Sequence, residues 1–148
     1  MPSTHTSLYY HLIFATKNRE PLIAPAWRHR LHDYLGGIVG NMGGIPQGIG
    51  GVADHVHLLV SLKASHCLAD FVRDLKKSSS TWVSTTIPEP RFRWQEGYAA
   101  FTVSASNREA VQVYVANQEE HHYQRSFQEE LRIILEKVGV PYKDEYLD

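Results

Sequence analysis

The sequence predicts an α+β fold in one domain, and three observations predict it. Short runs rich in aromatic and β-branched residues alternate in polarity, longer stretches carry apolar residues at helical spacing, and the two kinds follow one another in a definite order. Leu8 to Thr16 is the first strand-like run, closed by the polar turn Lys17-Asn18-Arg19-Glu20-Pro21. Pro25 suits the first turn of a helix in which Trp27, Leu31, Leu35, Ile38 and Met42 share a face until Gly43-Gly44 stops it. From Pro46 to Leu62 two strand-like runs separated at Ala53-Asp54 read as a hairpin, and Gly50-Gly51 in the first reads as a backbone bend or bulge. Ser65 is placed to cap a helix whose stripe is Leu68, Phe71, Val72, Leu75 and Trp82, and which Pro88 and Pro90 end. Tyr98 to Ser104 alternates as a half-buried strand does.

That order is the one found in a ferredoxin-like (RRM-like) βαββαβ sandwich with an antiparallel sheet. Two C-terminal helices follow it. Ser106 with Glu109 has the pattern of a capping box opening a helix through about Glu120, and Ser126 with Glu129 that of another, ending near Gly139.

The 148 residues of 16.9 kDa leave no room for a second substantial domain, so the whole chain, 1–148, is read as a single one. With 43% apolar and 21% charged residues, general disorder and coiled-coil architecture are poor readings. Fifteen basic against sixteen acidic residues give a net charge of -1, which excludes holding a polyanion by bulk charge and leaves only a local patch. The single Cys67 excludes an internal disulfide and a multi-cysteine zinc cluster. No apolar run approaches the ~20 residues of a membrane span or a signal-peptide core, so a cytoplasmic location without membrane contact is expected. The P-loop pattern is also missing, and nucleoside triphosphates are not expected as ligands.

Two short patterns carry chemistry. His55-Val56-His57 lies in the run HVHLLVSL, where side chains alternate, so both imidazoles project from one face about 7 Å apart and can share an ion. Val56, Leu58 and Val60 point to the opposite face, where amphipathic helices bury them, which leaves the histidine face for another use. Tyr114 and Gln118 stand four apart on a capped helix, placing a phenol and an amide oxygen one turn apart on one face. Alone, each pattern is common: nine histidines give a chance His-x-His count of about 0.5. His121-His122 reads as a complement to a helix C-terminus. Asp54 reads as a turn residue that also orients a neighbouring imidazole.

Five blocks in order give a far more specific signal: YHLIFATKNREPLI, GGVADHVHLLVSL, LADFVRDLKKSSSTWV, FRWQEGYAAFTVS and VYVANQEEHHYQRSFQEEL. Over nearly its whole length the chain resembles the IS200-like, single-tyrosine HUH-type transposases, including the REP-associated tyrosine transposases. The resemblance implies metal-dependent cleavage and rejoining of single-stranded DNA through a 5′-phosphotyrosine intermediate. It implies Tyr114 as catalytic nucleophile, and His55, His57 and Gln118 as ligands of a divalent ion, Mg2+ or Mn2+. It also implies a homodimer and recognition of DNA with hairpin ends. The chemistry is consistent with these roles, because a phosphotyrosyl ester keeps the phosphoryl group activated for a later 3′-hydroxyl. A phenol of pKa about 10 needs a cation to polarise the phosphate.

For DNA contact the sequence offers Lys17, Arg19, Arg73, Lys76 and Lys77, with Ser78 to Ser80 for phosphate hydrogen bonds. Trp94, Tyr98 and Phe101 suit either stacking on unpaired bases or the core. The alternative in another class is a domesticated, non-catalytic module that binds single-stranded nucleic acid on the same fold.

Overall fold

The computed structural model describes residues 3–119 and 125–143. Its elements are β1 (Tyr9–Ala15), α1 (Pro25–Asn41), β2 (Ile45–Gly51), β3 (His55–Ser61), α2 (Leu68–Thr86), β4 (Ala99–Val103), α3 (Arg108–Ala116) and α4 (Phe127–Val138). The four strands form one antiparallel sheet in the order β2-β3-β1-β4, so the predicted sandwich and its two additional helices are both present.

Alternation along the strands divides the molecule into layers. Leu12, Phe14, Val56, Leu58 and Val60 face α1 and α2, where Leu31, Leu35, Phe71, Val72 and Leu75 complete the main core. The opposite face holds Ile13 and Ala15 under Phe127, Leu131 and Leu135 of α4, and Leu59 and Val103 under Val115 of α3. The C-terminal helices therefore cover the face left open by the sequence reading, and His55 and His57 are fully buried beneath them. Burying three large side chains of α4 supplies about 1.5–3 kcal/mol each, enough to hold a short helix whose intrinsic stability is marginal.

Local signals were read with mixed success. Pro25 does open α1, and Gly43, at φ +86°, does end it in a left-handed turn. Ser126 caps α4 by accepting from the Glu129 N–H at 3.2 Å, and Gly139 at φ +75° terminates it. Ser65 is not a cap, because α2 begins after Cys67 without a side-chain cap. His66 instead ties that approach down, accepting from the Lys63 N–H at 2.9 Å and meeting the Met42 carbonyl at 2.7 Å. The Ser106 capping box does not form either, since Ala105–Asn107 make a 3-10 turn and Asn107 precedes α3 without a cap bond. α3 itself ends at Ala116, where Asn117 leaves helical geometry at φ −102°, ψ 30°; residues 118–119 are helical again, and the expected end near Glu120 lies outside the described residues. Irregular pairing in the hairpin falls between Pro46 and Gly48, while Gly50 and Gly51 pair regularly with His57 and Val56.

Those glycines do something else. Gly48 and Gly50 stand opposite Leu59 and His57 on the face that α3 covers. A Cβ on Gly50 would overlap the Val115 carbonyl, and one on Gly48 would touch Gln112 at 3.5 Å. Lacking side chains, β2 lets the backbone of α3 rest directly on the sheet. Gln112 secures the seat by donating to the Gln47 carbonyl at 2.5 Å.

Candidate functional site

The second layer brings four elements to one point. β3 supplies His55 and His57, and β1 supplies His11, whose Nε2 lies 2.8 Å from His57 Nδ1. From α3 comes Tyr114, its ring 5.8 Å from that of His57 and 6.0 Å from that of His11. Glu130 comes from α4, and only 4% of it is exposed. One Glu130 oxygen, Oε1, lies 3.0 Å from His57 Nε2 and 3.5 Å from His55 Nε2, while the other accepts a short hydrogen bond from the Tyr114 hydroxyl. On the far side of His55, Nδ1 meets Asp54 Oδ1 at 2.7 Å, which gives that acid the orienting place read from the sequence.

Burial and charge set the proton affinities. Burial, then the His57 charge, pulls the His11 pKa down to about 3, so His11 is neutral at pH 7. Burial also disfavours a charged His55, yet hydrogen bonds and charges from Asp54 and Glu130 outweigh it and raise its pKa. The Tyr114 phenol is pushed above its usual range by burial first and by Glu130 next, with Gln118 and Arg125 pulling the other way.

His55, His57 and Glu130 each offer one donor atom, and these atoms lie within 4.8 Å of one another. Two imidazoles and a carboxylate are ligands that divalent cations accept, and each imidazole is braced through its other nitrogen, as metal-bound histidines are. The donor set fits such an ion. Gln118 is 1% exposed, and its amide nitrogen donates to the Tyr114 carbonyl at 3.1 Å. It also lines a cavity of about 390 Å³ with His29, His32, Gly50 and Gly51.

The structure thus brings His55, His57, Tyr114 and Gln118 into one neighbourhood. Glu130 was missed, although the sequence carries a signal for it: an acid inside the apolar stripe Phe127, Leu131, Leu135. His11 had a signal too, being a polar residue in register with Ile13 and Ala15 on a buried strand face.

The candidate DNA contacts separate. Arg73, Lys76 and Lys77 line a cleft of about 380 Å³ together with Arg93, Trp94 and Tyr98, where four cations face only one acid, Glu96. Lys17 lies across the 93–97 loop, in a cavity of about 600 Å³ that also includes Arg93. Arg19 lines neither cavity; it sits in the tight turn after β1 at φ +53°. Lys76 is a clamp: its ammonium donates to the carbonyls of Gln95, Glu96 and Gly97 at 3.0, 3.2 and 2.5 Å, and burial lowers its pKa to about 8. Arg73 pairs with Asp70 and Asp74 at 3.1 and 3.3 Å. Trp94 belongs to packing, edge-on to Phe14 and donating to Ser79 at 2.9 Å, and Phe101 packs beside His11, whereas Tyr98 is 40% exposed. His121-His122 falls outside the described residues.

Residues 4–118 match the family described as "Transposase IS200 like". The chain belongs to the IS200-like transposase family. Over 117 residues it is 30% identical to the ISDra2 transposase TnpA of Deinococcus radiodurans, covering 75% of this chain and 84% of that one. A solved structure of a proposed transposase from Deinococcus radiodurans R1 superposes with a TM-score of 0.66 at 30% identity, over 80% of this chain and 95% of the other. A REP-associated tyrosine transposase bound to a REP hairpin shares the fold, with a TM-score of 0.55 at 11% identity over 78% of this chain and 70% of that one. Among the described residues of this IS200-like transposase, no helix is long and apolar enough to cross a membrane.

Proposed function

We propose that this transposase cuts and rejoins single-stranded DNA through a 5′-phosphotyrosyl bond on Tyr114, beside a divalent ion, Mg2+ or Mn2+, held by His55 and His57. One observation carries the reading: the Tyr114 hydroxyl and both imidazoles converge on the same buried carboxylate. In this reading the phenol oxygen attacks phosphorus as the bond to the 3′-oxygen breaks, and the proton given up by the phenol is matched by the one the released 3′-hydroxyl takes up. When bound, the ion polarises the scissile phosphate and offsets charge on the departing oxygen. His11 and Asp54 hold the other ring nitrogens of His57 and His55, so that both Nε2 atoms would be free to hold such an ion, with an oxygen donor from the covering helices as a third ligand. The burial of Tyr114 disfavours its ionisation in the resting protein, so attack awaits a bound substrate and ion.

DNA enters this reading along the cationic cleft beside α2, with Lys77, Arg93 and Lys17 on the phosphates and Tyr98 against an unpaired base. Hairpin recognition is extended to this chain from the neighbour whose structure holds a REP hairpin. A homodimer fits the apolar side chains that α3 and α4 leave exposed, Val113, Ile133 and Val138. The protein would act in the cytoplasm, on DNA made single-stranded there.

The test is labelled single-stranded DNA from the flanks of the gene, incubated with protein and Mg2+ or Mn2+ and run on a denaturing gel. Wild type should give a covalent adduct, whereas Tyr114→Phe and His57→Ala should give none. DNA binding by wild type without any adduct would instead favour a non-catalytic nucleic-acid module.

A further inference from the structure

The cavity of about 390 Å³ at the β2 edge of the sheet takes no part in the phosphoryl transfer itself. α1 lines it with His29 and His32, Gly50 and Gly51 offer only backbone, and the end of the tyrosine helix closes it with Gln118 and Glu119. His32 Nε2 is buried and, among the described residues, has no hydrogen-bond partner. Such an orphaned atom costs about 1–3 kcal/mol until something bonds it. Burial keeps that imidazole neutral at pH 7, its pKa lowered to about 4, so the nitrogen donates or accepts according to tautomer. The position of the cavity ties it to the chemistry. Gly50 stands opposite His57 in the ladder, so it lies one strand spacing, about 4.8 Å, from the strand of the histidine pair. Gln118 belongs to both places: it lines the cavity, donates to the Tyr114 carbonyl at 3.1 Å and bonds the Tyr114 phenol. The cationic cleft lies at the same end of the sheet but beside the start of β4, so the histidine pair stands between the two.

We propose that this cavity is a pocket for one unpaired nucleobase of the single-stranded DNA, next to the phosphate that stands at Tyr114. This rests on the reading of the chain as an enzyme of single-stranded DNA. The volume falls within the range of about 300–1,000 Å³ that small-molecule sites occupy, enough for a base whose sugar stays outside. A planar group with hydrogen-bonding edges is what these walls recognise. His32 Nε2 bonds the edge of the base, and the exposed His29 ring, at 88° to that of His32 with centroids 6.1 Å apart, offers a face for stacking. Glu119 pairs with Arg28 at 3.3 Å, so acid and cation offset one another and a neutral base suits the cavity better than a phosphate. A strand lying in the cleft and crossing the histidine pair arrives here. A base seated beside Gln118 is felt at the tyrosine, so the pocket registers which phosphate faces the phenol. A chain of net charge -1 thereby selects a position on the strand without relying on bulk attraction.

The experiment scans single-stranded DNA from the flanks of the gene with abasic sites, one position at a time. Binding to the full chain is measured by fluorescence anisotropy in the presence of a chelator, so that no strand is cut. Removing the base at one position beside the cleavage site should weaken binding about tenfold. His32→Ala should weaken binding of intact DNA by about the same factor and leave binding of DNA abasic at that position unchanged, with circular dichroism to confirm folding. A merely structural role for His32 would weaken both DNAs alike, and that outcome overturns the proposal, as does a scan in which no abasic loss depends on His32. Should His32→Ala fail to fold, His29→Ala, at an exposed position, carries the same comparison. If wild type forms the DNA adduct in either overturning case, only this inference falls. A wild type with a His32-dependent position but no adduct keeps the pocket and loses the cutting reaction, whereas one that binds no single-stranded DNA fails both.

Discussion

At the scale of single residues, the histidines do different work despite their common chemistry. His11 is a brace for His57, held neutral by burial. If the proposed ion binds here, replacing His11 by Ala should leave His57 free to rotate and lower Mn2+ affinity about 10–100-fold, measured from the EPR signal of free Mn2+ in a titration. His32 lies outside the His55–His57–Glu130 group, and burial first, then the charges of His29 and Arg28, depress its pKa to about 4. Because its folded value lies below the unfolded 6.5, its contribution is present above pH 6.5 and lost as the pH falls toward 4. Urea midpoints between pH 7 and pH 4 should therefore fall less steeply in a His32→Gln variant than in wild type. The sequence made some of these residues readable and not others. His55, His57 and Tyr114 stand out because spacing of two or four fixes a face before any tertiary contact is known. Glu130 is 73 positions from His57, and no local period links a strand to a helix at that distance.

The elements show the same division. β-strand alternation and proline or glycine punctuation are local effects, so β1 to β4 and α1 could be placed from the sequence. The caps at Ser65 and Ser106 could not, because the chain on either side is held by other contacts: His66 bonded to Met42, and a 3-10 turn before α3. Nor did the sequence reveal why β2 contains Gly48 and Gly50, since glycine's role there is to be absent beneath a helix. Gly50→Ala should force α3 away from the sheet, cost about 1–3 kcal/mol in urea unfolding, and reduce adduct yield by moving Tyr114 off Glu130. Ser126→Ala should cost about 1 kcal/mol through the loss of the cap on α4, measured the same way.

Viewed whole, a chain of net charge -1 gathers four cations around one cleft, and that contrast controls how it can meet DNA. Lys76 is committed to the loop and Arg73 to its acids, which leaves Lys77, Arg93 and Lys17 as the cations offered to phosphates. About three phosphate contacts predict a slope near −2 for log K against log salt with single-stranded DNA, and Lys77→Ala should make it shallower by about 0.7. Fluorescence anisotropy over a salt series measures both. A slope several times steeper would mean that the cleft is only part of the contact surface.

The burial of the candidate site beneath α4 also sets the order in which its parts can come together. Tyr114 and Glu130 meet only after α4 has docked over Ile13 and Ala15. During synthesis, a ribosome must therefore complete α4 before a nascent copy can bring these two side chains together. A chain that stops short of α4 carries the histidine pair and the tyrosine without the carboxylate that both contact.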